Sequence, residues 1–397
     1  MFGLHSSTQE AQVTKHAATK SKNLLVVCSA AWSITAFRGD LIEDLKDSGY
    51  TVLCAIPDST SEKQLSELAD RDINYVPYPL ARSGMNPFKD FRTLIALIRI
   101  IRNNHINLVF PYTIKPVIYG SLAARINRTP VVALITGLGF SFSRASRKAR
   151  VLEKLNIFLY RASISKSTHL IFQNPDDLKL FRKVGITQAD SNCTYVDGSG
   201  INTTRFPQRS IPAIKHATRF LMVSRLIREK GVLLYIEAAK QLKKDYPEVQ
   251  FSLVGSVEST PSAIPPSLIQ EYHEQGTIRF VGQLDDVGPE YQASDVFVLP
   301  TYYREGIPRS ILEAMSSGLA IITTDSPGCR ETVNDSDNGF LVEPQNILDL
   351  TSKTRLLIDS PDRVERMGAA SRLLAETRFN VTVINKQMLV VFDKAIN

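Results

Sequence analysis

The pattern of hydrophobic and polar positions divides the first half of the chain into two kinds of segment that alternate. Short runs that are apolar at almost every position precede stretches in which apolar residues recur three or four positions apart. The runs predict parallel strands covered on both faces, and the stretches predict helices. Their repetition predicts βαβ units in a doubly wound sheet. The runs occupy residues 24–29, 51–57, 73–78, 107–112, 131–136 and 168–174.

The alternation stops once and then restarts. Residues 200–217 contain Pro207, Pro212 and few apolar positions, which separates two halves of ordinary domain size. Because open α/β sheets bind ligands at the carboxyl ends of their strands, two Rossmann-like domains predict a cleft between them. The later runs occupy 219–224, 249–255, 277–282, 295–300, 319–324 and 339–342. The predicted organisation is a flexible tail at 1–21, domains at 22–206 and 218–378, a linker at 207–217 and a last segment at 379–397.

Composition excludes several classes of protein. The chain has 397 residues, of which 43% are hydrophobic and 22% charged, so a disordered chain is excluded. No apolar run reaches the length of a membrane-spanning helix, and residues 1–20 lack the apolar stretch of a secretory signal. Four cysteines without a CxxC pair fit a reduced environment. We therefore expect a cytoplasmic protein.

The net charge of +7 is concentrated in one segment. Residues 143–166 contain seven basic residues and one acidic residue, a local balance of +6. A basic amphipathic helix at about 144–165 can lie on an anionic membrane, where each Lys or Arg contributes about 1 kcal/mol. The alternative is a helix packed on the core with a solvated basic back. Arg147, Arg150, Lys154 and Arg161 share one face of this helix, Leu152, Leu155 and Leu159 share another, and Phe158 lies near the boundary.

The segment 301–318, TYYREGIPRSILEAMSSG, carries the most distinctive chemistry. Pro308 can open a helix, so the amides of Gly306 and Ile307 would face an anion or sugar hydroxyls. Glu305 and Glu313 are eight residues apart, about 12 Å on a continuous helix, which exceeds the roughly 5–9.5 Å of a glycosidase pair. They are better placed to hold two parts of one elongated ligand. The alternative is that both are ordinary solvated glutamates.

A second group of charged residues follows the first strand of the second domain. Arg225 and Lys230 would lie at the carboxyl end of that strand. Arginine can bind phosphate oxygens through two hydrogen bonds, and lysine acts as a point charge. Together they could neutralise a diphosphate, including the charge that develops on a leaving one. Surface charges beside Glu229 are the alternative.

These motifs resemble those of a known enzyme family. Arg225 with Lys230, GQLDD at 282–286, and Glu305 with Glu313 look like the donor half of family 4 retaining glycosyltransferases. The resemblance implies the GT-B fold, in which an acceptor-binding and a nucleotide-sugar-binding domain face each other and the C-terminal helix crosses back to the first. The runs at 81–88, 113–126, 135–142 and 200–207 are similar to bacterial transferases of the capsule and O-antigen type, which add N-acetylhexosamines or related sugars to polyprenyl-diphosphate-linked acceptors.

The resemblance also implies roles for single residues. Arg225 and Lys230 would bind the donor diphosphate and, with Glu305, would be the catalytic residues. The loop that includes Ala31 would approach the donor phosphates. Further donor contacts are implied for Leu284 (nucleobase), Glu305, Gly306 and Ile307 (transferred sugar) and Glu313 (ribose), and acceptor contacts for Arg82, Lys115 and Gly137.

The chain departs from the family pattern at two positions. Thr136 stands where many members have a histidine, and Ser29-Ala30-Ala31-Trp32 replaces a Gly-Gly pair. No protein nucleophile is evident, which favours a front-face displacement in which the departing diphosphate helps to deprotonate the acceptor hydroxyl. We expect no cofactor and no required metal, because the D-x-D at Asp335 and Asp337 falls in a polar turn.

The expected partners are a nucleotide-sugar donor, with UDP favoured over GDP, a polyprenyl-diphosphate-linked acceptor and the anionic inner face of the cytoplasmic membrane. Two other functions remain open. A GT-B epimerase would carry carboxylates and a histidine around the cleft, and none of the six histidines falls in a motif. A non-catalytic basic protein that binds membranes or nucleic acid is less favoured. The basic helix is not accompanied by the aromatic-rich sheet of proteins that bind single-stranded nucleic acid.

Overall fold

The structure of the protein is a computed structural model that describes residues 22–81, 84, 86–139, 142, 147–165, 168–188, 191–210, 217–258 and 260–396. The tail at 1–21 therefore lies outside the described residues. The first domain contains β1 (Asn23–Val27), β2 (Thr51–Pro57), β3 (Tyr75–Tyr78), β4 (Leu108–Pro111), β5 (Val131–Ile135), β6 (Thr168–Phe172) and β7 (Cys193–Tyr195). Its helices are α1 (Trp32–Phe37), α2 (Gly39–Asp47), α3 (Glu62–Ala69), α4 (Pro87–Asn103), α5 (Ile114–Asn127), α6 (Arg147–Ser163) and α7 (Pro175–Lys183).

These strands form one parallel sheet in the order β3-β2-β1-β4-β5-β6-β7. The continuous apolar runs of the sequence follow from burial on both faces. Leu24 and Val26 of β1 belong to one hydrophobic core, whereas Leu25 and Val27 belong to the core on the opposite face. Because successive side chains of a strand point to opposite faces, both sets must be apolar.

The second domain repeats this architecture. It contains β8 (Arg219–Val223), β9 (Gln250–Val254), β10 (Arg279–Gly282), β11 (Val296–Leu299), β12 (Ala320–Thr324) and β13 (Gly339–Val342). Its parallel sheet has the order β10-β9-β8-β11-β12-β13. In both sheets the strand order reverses beside the first strand, the position at which such sheets bind ligands. The remaining helices are α8 (Val232–Leu242), α9 (Pro266–Glu274), α10 (Gly288–Gln292), α11 (Arg309–Ser316), α12 (Ile347–Ile358), α13 (Pro361–Thr377) and α14 (Val381–Ile396), and short 3-10 turns span Arg228–Lys230 and Arg330–Thr332.

The last helix, α14, returns to the first domain, as the resemblance predicts. The buried ring of Phe392 lies 5.0 Å from that of Phe110, measured between centroids. Ile384 and Met388 of α14 join the same core. The chain crosses between the two domains twice, near Ile201 and near Phe379. These two crossings lie side by side, because the amide of Ile201 donates to the carbonyl of Phe379 at 2.7 Å. The protein is therefore an α/β molecule of two doubly wound domains joined by two neighbouring crossings.

Residues 207–217, predicted as the linker, have defined contacts where the structure describes them. The guanidinium of Arg209 lies 3.2 Å from the carboxylate of Asp295, and both side chains are buried. Residues 211–216 lie outside the described residues. The first part of this segment is thus fixed to the second domain. Within the described ranges, no helix is long and apolar enough to span a membrane.

Candidate active site

A cleft of about 520 Å³ lies between the two domains at the carboxyl ends of their strands. The first domain contributes the loop after β1 and residues that follow β4, β5 and β6. The second domain contributes the loops after β8, β9, β10 and β11. Most of the residues that the sequence motifs single out in the second domain line this cleft. They include Arg225, Lys230, Leu284, Glu305, Gly306 and Ile307.

The centre of the cleft is an ion pair between Lys230 and Glu305. The ammonium of Lys230 donates to the carboxylate of Glu305 at 2.5 Å, and their side chains are only 12% and 13% exposed. The turn that carries Lys230 abuts the end of β11, because the hydroxyl of Thr301 donates to the carbonyl of Glu229 at 3.0 Å. Two motifs separated by 75 positions are thus joined because they follow neighbouring strands, β8 and β11.

Tyr303 connects the two cations, a role that the sequence motifs did not indicate. Its ring centroid lies 5.8 Å from the guanidinium carbon of Arg225 and 5.6 Å from the ammonium of Lys230. Such contacts attract a cation to the aromatic face by about 0.5–1 kcal/mol at exposed sites. Arg225 itself is exposed in the cleft, so its charge is available to an anionic ligand.

The loop that contains Glu305 and Gly306 is pressed against the first domain. A Cβ atom on Gly306 would lie 2.2 Å from the side-chain oxygen of Gln173 and 2.8 Å from the carbonyl oxygen of Thr136. Gly137 has a φ of +96°, and a Cβ there would lie 2.4 Å from the amide nitrogen of Gly306. Only glycine fits this contact. Gly137 itself packs on the loop of the second domain that contains Glu305 and Gly306, and its predicted contact with the acceptor stays a prediction.

Hydrogen bonds across the domains hold the same loop. The side chain of Asn174 caps α7 and donates to the carbonyl of Glu305 at 3.0 Å. The guanidinium of Arg304 donates to the fully buried carboxylate of Asp177 at 2.9 Å. Burial raises the pKa of Asp177, and the bonds from Arg304 and Asn174 oppose that rise. The first domain therefore helps to set the position of Glu305. An asparagine before Pro175 signals a helix cap in the sequence, but gives no sign of this distant contact.

Glu313 is engaged inside the second domain. Its carboxylate accepts a hydrogen bond from the hydroxyl of Tyr291 at 3.0 Å and pairs with the guanidinium of Arg309 at 3.2 Å. Burial raises the pKa of Glu313, and both contacts oppose that rise. Arg309, one turn earlier on α11, lines the cleft. The contact of Glu313 with a ribose stays a prediction, and Arg309 is the cleft residue that holds its carboxylate.

The remaining candidates of the first domain have different surroundings. The methyl group of Ala31 is buried in the core, while Ala30 and Trp32 line the cleft. The ammonium of Lys115 lies 2.8 Å from the carboxylate of Asp90, which neutralises its charge. Arg82 lies outside the described residues. The acceptor roles of Lys115 and Arg82 stay predictions.

The predicted basic helix is α6, and its side chains are described from Arg150 onward, so that of Arg147 lies outside the described part. Arg150, Lys154 and Arg161 are exposed, and Arg161 also donates to the carbonyl of Val184. Leu152, Leu155 and Leu159 are half-buried. Val151 and Phe158 are each 65% exposed, so the solvent face of α6 is basic and apolar together.

Metal ligands are not clustered in the part of the chain that the structure describes. No group of three or more His, Cys, Asp or Glu side chains there could hold a metal ion. Asp335, one member of the D-x-D, accepts a hydrogen bond from the amide of Leu341 at 3.0 Å and serves the turn before β13. The expectation that no metal is required stays a prediction.

Two Rossmann-like domains enclose a cationic cleft in which a half-buried glutamate pairs with a lysine, an arrangement that suits a two-domain glycosyltransferase. Family models agree: residues 24–174 match the model described as glycosyl transferase 4-like, and residues 205–374 match the one described as glycosyl transferases group 1. The two matches together cover most of the chain, which is a glycosyltransferase of the GT-B fold with one domain of each family. The resemblance noted in the motifs is thereby confirmed.

The chain is similar to named transferases. It is 27% identical over 380 residues to the N,N'-diacetylbacillosaminyl-diphospho-undecaprenol alpha-1,3-N-acetylgalactosaminyltransferase of Campylobacter jejuni, covering 92% of this chain and 97% of that one. It is 27% identical over 296 residues, 71% and 74% of the two chains, to the UDP-Gal:alpha-D-GlcNAc-diphosphoundecaprenol alpha-1,3-galactosyltransferase of Escherichia coli. The crystal structure of Anabaena HepE with UDP-glucose has a TM-score of 0.76, 16% identity, and coverage of 94% and 99%. That likeness confirms the fold.

Proposed function

We propose that this glycosyltransferase is a retaining enzyme that moves a hexose or N-acetylhexosamine from a nucleotide diphosphate sugar to a polyprenyl-diphosphate-linked saccharide in cell-surface polysaccharide assembly. The convergence of Arg225, Lys230 and Glu305 in one cleft carries the proposal. The names of the Campylobacter jejuni and Escherichia coli relatives support the lipid-linked acceptor, and the second supports UDP as the carrier. The absence of any described histidine from the cleft lining favours a transferase over an epimerase.

The cleft supports a mechanism driven by the leaving group. Arg225 and Lys230 bind the diphosphate and stabilise the negative charge that grows on it as the sugar departs. The bond between the anomeric carbon and the phosphate oxygen breaks, and its electron pair stays with the phosphate. The acceptor hydroxyl then attacks the anomeric carbon from the same face, and its proton passes to the departing phosphate oxygen.

Glu305 has a binding role in this mechanism. Its carboxylate accepts hydrogen bonds from hydroxyls of the transferred sugar, while Lys230 compensates its charge from 2.5 Å. A lysine that touches both this carboxylate and the diphosphate links sugar binding to leaving-group stabilisation. Since two protein cations oppose the diphosphate, we propose that no metal is required. Loss of purified-enzyme activity on EDTA treatment that Mg²⁺ restores would contradict this.

The first test is nucleotide release from a panel of UDP- and GDP-sugars, with and without polyprenyl-diphosphate-linked saccharides. The wild type is compared with Glu305→Gln and with Glu271→Gln, an exposed glutamate on α9 that serves as the matched control. Acceptor-dependent release from one donor, lost only in Glu305→Gln, is the expected result. Equal release by Glu305→Gln and the control would refute the role of Glu305, and no release from any pair would refute the proposed substrates.

We further propose that α6 holds the enzyme on the cytoplasmic face of the membrane. Lys154 lies between the exposed apolar side chains of Val151 and Phe158, which suits a helix lying in the headgroup region. Flotation with liposomes tests this. The expected result is binding to anionic but not to neutral vesicles, weakened in Phe158→Ser and in Lys154→Glu. Exposed Lys240→Glu on α8 is the charge control, and equal flotation of all variants would contradict the proposal.

A further inference from the structure

Arg38 is a buried arginine for which the described residues provide no carboxylate partner. It occupies the single position between α1 and α2, is 2% exposed, and lines the cleft from the first domain. Its guanidinium carbon lies 5.3 Å from the ring centroid of Tyr112. Its Nε atom is buried and has no hydrogen-bond partner among the residues that the structure describes. A charged group in this condition is costly unless a ligand compensates it.

A second guanidinium approaches the same wall of the cleft from the opposite domain. The guanidinium carbon of Arg309 lies 5.8 Å from the ring centroid of Phe37, the residue that precedes Arg38. Burial lowers the pKa of Arg38 to about 10; Tyr112 opposes this shift, and the nearby charge of Arg309 adds to it. Arg309 has Glu313 as its counter-ion. Among the residues that the structure describes, Tyr112 is the one group that opposes the fall in the pKa of Arg38. An anion between the two arginines would relieve both the burial cost and the repulsion.

We propose that Arg38 binds a phosphate group of the nucleotide diphosphate donor from the side of the first domain, an inference that rests on the proposed function. Its position favours the donor over the acceptor. Arg309, which faces it, begins the helix that follows Glu305–Ile307 and holds Glu313, so this wall belongs to the donor half of the cleft.

The loop after β1 gives a second reason for this assignment. That loop has Ser29-Ala30-Ala31-Trp32 in place of a Gly-Gly pair, and the side chain of Ala31 is buried in the core. A close backbone approach to a phosphate through glycine is therefore absent here. The guanidinium of Arg38 provides the first domain with a charged contact instead, and donor binding would draw the two domains together.

The experiment measures binding of UDP, GDP, inorganic pyrophosphate and uridine by calorimetry to the wild type, Arg38→Met and Arg38→Lys. A hydrogen-bonded contact between charged groups corresponds to roughly a 10- to 100-fold change in affinity. We expect that loss for UDP or GDP in Arg38→Met, a smaller loss in Arg38→Lys, and unchanged uridine binding. Arg209→Met is the control for a buried arginine, because Arg209 is paired with Asp295 away from the cleft.

A thermal melt without ligand separates binding from a structural role. Because Arg38 is an uncompensated buried charge, Arg38→Met is expected to melt no lower than the wild type, whereas Arg209→Met should melt lower. Nucleoside diphosphate affinity in Arg38→Met equal to that of the wild type would overturn the proposal. A rise in the acceptor KM of Arg38→Met with no change in its donor KM would also overturn the proposal. If the wild type is active and either of these results is found, the proposed function stands. A wild type that binds no diphosphate and transfers no sugar would refute both the role of Arg38 and the proposed function.

Discussion

The contact between Gly137 and Gly306 gives a quantitative test of how the domains assemble the site. A Cβ on Gly137 would lie 2.4 Å from the amide nitrogen of Gly306, while ordinary contacts begin near 3.4 Å. Gly137→Ala must therefore separate the two loops by about 1 Å. A misplacement of about 1 Å can reduce turnover by roughly 100-fold, which is about 2.7 kcal/mol of activation free energy.

The backbone strain of this substitution needs its own control. Gly137 has a φ of +96°, so alanine there also costs roughly 1–2 kcal/mol of stability. Gly49→Ala shares that cost, because Gly49 has a φ of +82°, but a Cβ at Gly49 would meet nothing within 4 Å. Gly137→Ala should lose at least as much thermal stability as Gly49→Ala, and only Gly137→Ala should lose kcat/KM for sugar transfer. If the two variants have the same kcat/KM, the close contact between the domains does not position Glu305.

Three further predictions address the ion pair, the buried acid and the last helix. Lys230→Met leaves the carboxylate of Glu305, only 13% exposed, without its cation, and initial rates of sugar transfer should fall by roughly 100- to 1,000-fold. Burial raises the pKa of Glu313, so the folded chain holds this proton to a higher pH than the unfolded chain. The stability of the wild type relative to Glu313→Gln, measured by urea denaturation, should therefore be greatest below the ordinary glutamate pKa and fall as the pH rises through the raised one. Phe392→Ala removes a fully buried ring packed on Phe110 and should lower the free energy of unfolding by roughly 3–5 kcal/mol.

The fold was predictable because the signal for it is local. A strand covered on both faces must be apolar at nearly every position, as β5 is, and such runs stand out from helical periodicity. The sequence pattern does not predict strand β7 (Cys193–Tyr195), because this strand has only three residues, all half-buried at the sheet edge. Its three residues mix polar and apolar side chains, so no continuous apolar run marks this segment as a strand.

The site was predictable only where the chain order of the strands places residues together. Lys230 and Glu305 follow neighbouring parallel strands, so the topology alone brings them close. The Arg309–Glu313 pair has the spacing of neighbours on one helix face, whereas the family resemblance implies a ligand contact for Glu313. Asn174 and Arg38 act across the domain boundary, and no periodicity or motif in the sequence specifies which distant segment each one meets.

The position of Glu305 shows why the two domains and the chemistry cannot be separated. Its side chain is held by Lys230 of its own domain, whereas its backbone carbonyl accepts a hydrogen bond from Asn174 of the other at 3.0 Å. The preceding carbonyl, that of Arg304, accepts from the amide of Gly139 at 3.1 Å. Separation of the two domains would break both of these backbone contacts, whereas the pair of Lys230 and Glu305 lies within the second domain. In the proposed mechanism, the carboxylate that binds the sugar is therefore positioned by contacts from both domains, and the same enclosure shields the reaction from water.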